Sequence, residues 1–136
     1  MENIREAVLK TAVQAASYGL CRNRSGNFSY YDRNAGLVYI TPSGVSREAL
    51  TAEQIVVVDL NNNHISGEGK ASSETPMHLE IYKARPDVHA IVHTHSCYAS
   101  AFAVANKPIP PCIVEALFLG GQIEVAPFEF PGTLEF

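Results

Sequence analysis

The sequence predicts a single α/β or α+β domain whose strands pair largely antiparallel. Three observations carry that expectation. Helical and strand-like segments alternate along the chain, as they do where helices pack on a sheet. Two polar clusters, Asp32-Arg33-Asn34-Ala35-Gly36 and Asn61-Asn62-Asn63, each separate two short strand-like runs in the manner of hairpin turns. The 136 residues contain no internal repeat and no linker, which suits one domain.

The elements follow in order. Residues 2–19 are expected as an amphipathic helix, because Ile4, Val8, Ala12 and Ala15 recur at helical spacing and Gly19 supplies a stop. A polar loop over residues 21–27 comes next. Phe28–Tyr31 and Leu37–Ile40 read as strands around the first turn, and Thr41-Pro42-Ser43-Gly44 breaks the second. Ser46 caps a short helical turn through Leu50. Ile55–Leu60 is a β-branched run expected as a buried strand, with residues 64–67 returning beside it. Ser72 or Ser73 stands where a helix cap belongs, and Glu74, Met77, His78, Ile81 and Tyr82 follow at helical spacing. Pro76 is tolerated in that first turn, and Arg85-Pro86-Asp87 ends the helix. Residues 88–95 are strand-like, Ser96 caps a helix through Ala105, and Pro108, Pro110 and Pro111 form an irregular link. Ala116–Leu119 is apolar, Gly120-Gly121 is a break, and residues 123–130 alternate like a strand. Residues 131–136 read as the entry to a helix capped by Thr133, so the domain, residues 1–136, is expected to be truncated at its C-terminus.

Composition narrows the functional classes. Apolar residues make up 46 % and charged residues 18 %, an ordinary globular balance that excludes a disordered chain. The net charge of −4 leaves no basic footprint for nucleic acid or an anionic membrane surface. The longest apolar runs are too short to span a bilayer, and the first residues lack a positive-then-apolar signal. Cys21, Cys97 and Cys112 cannot pair completely and have no zinc-like spacing, so a reducing cytoplasm is the expected compartment.

Five features carry chemistry. His93-Thr94-His95 places two imidazoles on one face of a strand, with Cα atoms roughly 6.5–7 Å apart. Such a pair reaches one metal ion, or it is simply two hydrogen-bonded histidines at a strand end; the pair alone leaves both open. Gly26-Asn27 in a polar loop offers backbone N–H groups and an amide to an anion, or serves as a plain turn. Ser43-Gly44, in Thr41-Pro42-Ser43-Gly44, offers similar donors just after a strand, or is likewise just a turn. Ser72-Ser73 puts two hydroxyls and unpaired N–H groups at the positive end of a helix dipole, where a phosphate is favoured and where capping alone would need one Ser. Glu74 beside them is a carboxylate placed for acid–base work.

Jointly, Gly26-Asn27-Phe28-Ser29, Thr41-Pro42-Ser43-Gly44, Ser72-Ser73-Glu74 with Met77-His78, and His93-Thr94-His95 resemble the class II aldolase/adducin head family in order and spacing, over essentially the whole chain. The resemblance implies a three-layer αβα sandwich around a largely antiparallel sheet. It implies a homotetramer, one Zn2+ per subunit held by His93 and His95, a substrate phosphate held by Gly26, Asn27, Ser43, Gly44, Ser72 and Ser73, and proton transfer by Glu74. The third zinc histidine is then expected beyond Phe136. His78, one turn along the Glu74 helix, is expected to be structural, while His64 and His89 lie too far away to substitute. Where the fuculose-1-phosphate type carries a Tyr, this chain has Glu115 in the neighbourhood.

The function so implied is a zinc-dependent aldolase, an aldehyde-lyase of carbohydrate metabolism. It would cleave a ketose 1-phosphate of the fuculose-1-phosphate type to dihydroxyacetone phosphate and an aldehyde. Two further reactions share the same implied site: dehydration of methylthioribulose 1-phosphate, which Glu115 favours, and 4-epimerisation of a pentulose 5-phosphate. A different class is a non-catalytic adducin-head-like module or an inactive fragment. The intact Glu74, His93 and His95 argue against the module, and the missing third ligand argues for low zinc occupancy in the 136-residue chain.

Overall fold

The computed structural model describes residues 3–118 and 120–129. Helix α1 (Ile4–Ser17) begins where the Asn3 side chain accepts the Arg5 N–H at 3.1 Å. It ends at Gly19, whose φ of +71° no bulky residue adopts easily. There the Leu20 N–H reaches the Ala15 carbonyl at 3.0 Å and the Gly19 N–H reaches Ala16 at 2.9 Å, the paired bonds of a Schellman cap.

Strands β1 (Asn27–Asp32) and β2 (Leu37–Ile40) form the first hairpin, in register from Ser29 opposite Ile40 to Asp32 opposite Leu37. Asp32 Oδ1 accepts the Asn34 and Ala35 N–H groups and so closes the turn. Strand β3 (Val56–Val58) pairs with β2, and β4 (His64–Ser66) pairs with β3. Helix α2 (Thr75–Ala84) then carries the chain over the sheet. It delivers β5 (Ala90–His93) to the free side of β1, giving the order β4-β3-β2-β1-β5, antiparallel throughout.

Side-chain alternation along these strands sorts the core into two halves. Phe28 and Ile55 are buried against Val8, Ala12 and Ala15 of α1, together with Cys21 and Leu50. Tyr31, Val38, Ile40, Val56 and Val58 are buried on the opposite face, under Leu79 and Tyr82 of α2. One helix on each face makes the three layers. Each fully buried Val, Ile or Leu contributes about 1.5–3 kcal/mol.

Several boundaries differ from the sequence reading. Residues 46–50 make one turn, closed by the Ala49 N–H to the Ser46 carbonyl at 3.3 Å, and no helix. The strand expected over 88–95 is shorter. Val88 is held in a turn by the Arg85 carbonyl, and beyond His93 the His95 N–H turns away to the Leu20 carbonyl at 3.0 Å. Helix α3 (Cys97–Val104) starts at Ser96, whose side chain makes no cap bond. Helix α4 (Val114–Phe118) covers most of the apolar stretch before the Gly pair. The alternation after residue 122 does not yield a strand among the described residues. Ile123 makes a single isolated bridge to Ile109, with no strand edge beside it to extend the ladder. The helix entry expected over residues 131–136 lies outside the described residues.

Candidate functional site

The register of β1 on β5 sets Asn27 directly opposite His93. The N-terminus of α2 arrives beside them, with Glu74 in the cap position and no side-chain cap bond of its own. The carboxylate is therefore left free of its helix and turns to the sheet. Its Oε2 accepts from Asn27 Nδ2 at 2.6 Å and lies 2.5 Å from His93 Nδ1. The ring of His95 stacks on that of His93, centroids 5.1 Å apart and planes 20° apart. His95 thus shares a site with His93 although it lies past the end of the strand. Glu74, His93 and His95 line one open cavity of about 470 Å3, together with Ala103 and Val104 of α3 and the 125–129 segment.

A line of buried polar groups runs inward from Asn27. Asn27 Oδ1 meets His78 Nε2 at 2.5 Å. His78 Nδ1 meets Ser29 Oγ at 2.7 Å, and Ser29 Oγ meets the Tyr82 hydroxyl at 2.6 Å. His78 is wholly buried. Burial, with His93 nearby, pushes its imidazole down to about 4, and Glu74 opposes that only in part. Burial likewise pushes the Tyr82 phenol up to about 12, against the hydrogen bond it shares with Ser29.

The two serine-bearing loops lie side by side. Pro42 bridges to Ala71, the Ser43 N–H donates to the Lys70 carbonyl at 2.8 Å, and the Ser72 N–H donates to the Thr41 carbonyl at 3.2 Å. Ser43, Gly44 and Ser73 are exposed there. Ser72 and Ser73, together with Lys70, line a second cavity of about 530 Å3 that also takes in Asn62, His64 and Pro76. Ser72 does not cap α2 by its side chain. Its carbonyl accepts the Thr75 N–H and hydroxyl, and its Oγ accepts the Glu74 N–H at 3.3 Å.

Gly26 and Asn27 stand apart from those loops in their bonding. Both ends of the Asn27 amide are taken up by Glu74 and His78. Gly26 has φ of +75°, and a Cβ there would lie 2.5 Å from Cys21 Sγ and 2.7 Å from the His93 carbonyl. Its side-chain-free backbone lets the β1 entry pass close beneath the end of β5.

Sequence reasoning missed Arg47. Only 2 % exposed, it donates to the Gly26 carbonyl from below the loop and lies over the Phe28 ring at 5.8 Å. Burial lowers the proton affinity of its guanidinium. His64 and Glu115 take no part in the cavity of Glu74. His64 bonds the Gly67 carbonyl at 3.1 Å in its hairpin, and Glu115 lies exposed on α4.

The donor set fits zinc in kind: two imidazoles and a carboxylate at one cavity. His93 Nδ1 is buried, makes no hydrogen bond, and lies in ion-pair contact with Glu74 Oε2. Among the described residues, no group of three or more His, Cys, Asp or Glu side chains is arranged to hold a metal. His93 and His95 are the two imidazoles that line this cavity.

Comparison with known proteins bears on this arrangement. The profile of the family described as Class II Aldolase and Adducin N-terminal domain matches residues 6–136. A probable L-ribulose-5-phosphate 4-epimerase, UlaF, of Mycoplasma pneumoniae is 45 % identical over 111 residues, which is 81 % of this chain and 46 % of that protein. The 5-deoxy-D-ribulose 1-phosphate aldolase of Bacillus thuringiensis serovar kurstaki is 37 % identical over 133 residues, 98 % of this chain and 62 % of that protein. A solved L-fuculose 1-phosphate aldolase superposes with a TM-score of 0.93 at 33 % identity, over 99 % of this chain and 64 % of that one. The chain thus spans about half to two thirds of the length of these proteins.

Proposed function

Because the chain belongs to the class II aldolase and adducin N-terminal domain family, we propose that it forms the site-bearing part of a zinc-dependent lyase. The reaction is cleavage of a ketose 1-phosphate to dihydroxyacetone phosphate and an aldehyde. One observation carries the reading: Glu74 is held by the Asn27 amide directly beside the stacked His93 and His95, next in sequence to the paired loops of Ser43 and Ser72. That the Bacillus thuringiensis relative bears the name of a ketose 1-phosphate aldolase supports the substrate class.

Retro-aldol cleavage leaves a carbanion next to a carbonyl, and its charge must pass to oxygen as an enediolate. His93 and His95 would hold the zinc, which would supply the electrophile for this charge. Glu74 moves the proton to or from the carbon, and Asn27 fixes the carboxylate oxygen that does so. The hydroxyls of Ser43, Ser72 and Ser73 and the N–H groups around Gly44 anchor the phosphate at the start of α2, whose dipole favours an anion. Anchoring at that end orients the reacting carbons toward Glu74 and lowers the entropic part of the barrier. Exposed apolar residues on α3 and α4, among them Tyr98, Val104, Leu117 and Phe118, suit coverage by further copies of the chain in a homotetramer.

The name of the Mycoplasma pneumoniae relative favours 4-epimerisation of a pentulose 5-phosphate as the second reading. A product assay on the zinc-loaded protein separates these. Triose phosphate plus an aldehyde from a ketose 1-phosphate is the expected result. An epimer from a pentulose 5-phosphate supports the second reading, a dehydrated ketone supports the dehydratase, and phosphoketose binding without turnover supports a non-catalytic module.

A further inference from the structure

We infer that His78, backed by Ser29 and Tyr82, is a positioning residue for Glu74: it locks the Asn27 amide with its N–H end facing the carboxylate. The inference rests on the reading of Glu74 as the proton-moving group, and it deepens that reading.

A carboxamide has nearly the same shape either way round, so packing alone does not orient it. With Nδ2 toward Glu74, Asn27 donates to the carboxylate at 2.6 Å. Turned over, it would set a carbonyl oxygen against Glu74 Oε2, two acceptors with no proton between them. The other end of the amide must hold the same orientation. Asn27 Oδ1 faces His78 Nε2 at 2.5 Å, so the working orientation requires the proton on Nε2.

A neutral imidazole carries one ring proton, so Nδ1 must then accept. The group it faces is Ser29 Oγ at 2.7 Å, which must donate. Ser29 has one hydroxyl proton, so the Tyr82 hydroxyl at 2.6 Å must donate to Ser29 in turn. Every donor direction from Tyr82 to Glu74 is thereby set by its neighbour. Reversing His78 to the Nδ1–H form would reverse the Asn27 amide as well. The imidazole is wholly buried, which keeps it neutral, and the tyrosine is 1 % exposed, which keeps its proton in place.

The array ends in the core, where Tyr82 packs among Tyr31, Leu79 and Ile91. It has no outlet to water at that end. It therefore orients rather than conducts protons. The side chains involved come from β1 and α2, and the contacts from Asn27 and Ser29 to His78 span 51 and 49 residues of sequence.

Two measurements test this on the full chain. Histidine-labelled protein is examined by long-range 15N NMR near neutral pH. His78 is expected as the Nε2–H tautomer, with Nδ1 as the acceptor from Ser29. A dominant Nδ1–H form in the unsubstituted protein overturns the inference. In the second measurement, His78→Leu should lower kcat by about 10²-fold while KM stays within about twofold. His78→Gln, whose amide N–H can stand where Nε2–H stood, should recover most of that loss. Equal kcat for His78→Gln and His78→Leu, at equal melting temperature and zinc content, overturns the inference. If the unsubstituted protein turns over no phosphoketose, the proposed function fails, and the tautomer measurement still decides the role of His78.

Discussion

Lowering the pH should destabilise the fold through His78 in particular. The imidazole titrates near 6.5 in an unfolded chain and is pushed down to about 4 in the folded one, chiefly by burial. Between those values the unfolded state binds a proton that the folded state refuses. The stabilisation due to neutral His78 is thus complete above about 6.5 and is lost as the pH falls toward about 4. At about 1.4 kcal/mol per pH unit, the span amounts to about 3 kcal/mol. The residue is 0 % exposed, so solvent does not screen the effect. Urea midpoints of the unsubstituted protein and of His78→Gln, compared across that window, isolate it, because every other titrating group is common to both. The unsubstituted protein should lose about 3 kcal/mol more than the variant on acidification. Parallel pH curves for the two would refute the argument that burial holds His78 neutral.

Two further outcomes follow from the site. His93→Ala and His95→Ala should each strongly reduce zinc content measured by elemental analysis, and unchanged metal in both contradicts their role as ligands. Gly26→Ala should destabilise the fold by about 1–3 kcal/mol, since it combines a positive φ with a Cβ driven into Cys21 and the His93 carbonyl; an unchanged denaturation midpoint would show that the β1 entry and β5 need no such close approach.

The parts of this fold that follow local rules were legible. The Asn34-Ala35-Gly36 turn after Asp32, the stop at Gly19 and the alternation in β2 all depend on residues within a few positions of one another. Glu74 and the His93–His95 pair stand out in the sequence because their motifs are short, and the structure brings the three to one cavity. What escaped depends on distance in sequence. Arg47 sits in a polar stretch, Ser46-Arg47-Glu48, that looks like surface, and its burial against Gly26 is set by the loop's path. Asn27 read as an anion-binding loop residue. Only the register of β1 on β5 and the arrival of α2 show its amide spanning Glu74 and His78. His78 read as structural, but its partners Ser29 and Asn27 lie 49 and 51 residues away. The alternation after Ile123 misled because a strand needs an edge to pair with, and among the described residues Ile123 bridges only to Ile109.

The central claim is that Glu74 moves the proton in a zinc-assisted cleavage. Its most direct test is the turnover of zinc-loaded Glu74→Gln on a ketose 1-phosphate. The amide keeps the size of the side chain and removes its basicity. The account predicts retained zinc and retained phosphoketose binding, with turnover lower by about 10²–10⁴-fold. Turnover close to that of the unsubstituted protein would contradict it.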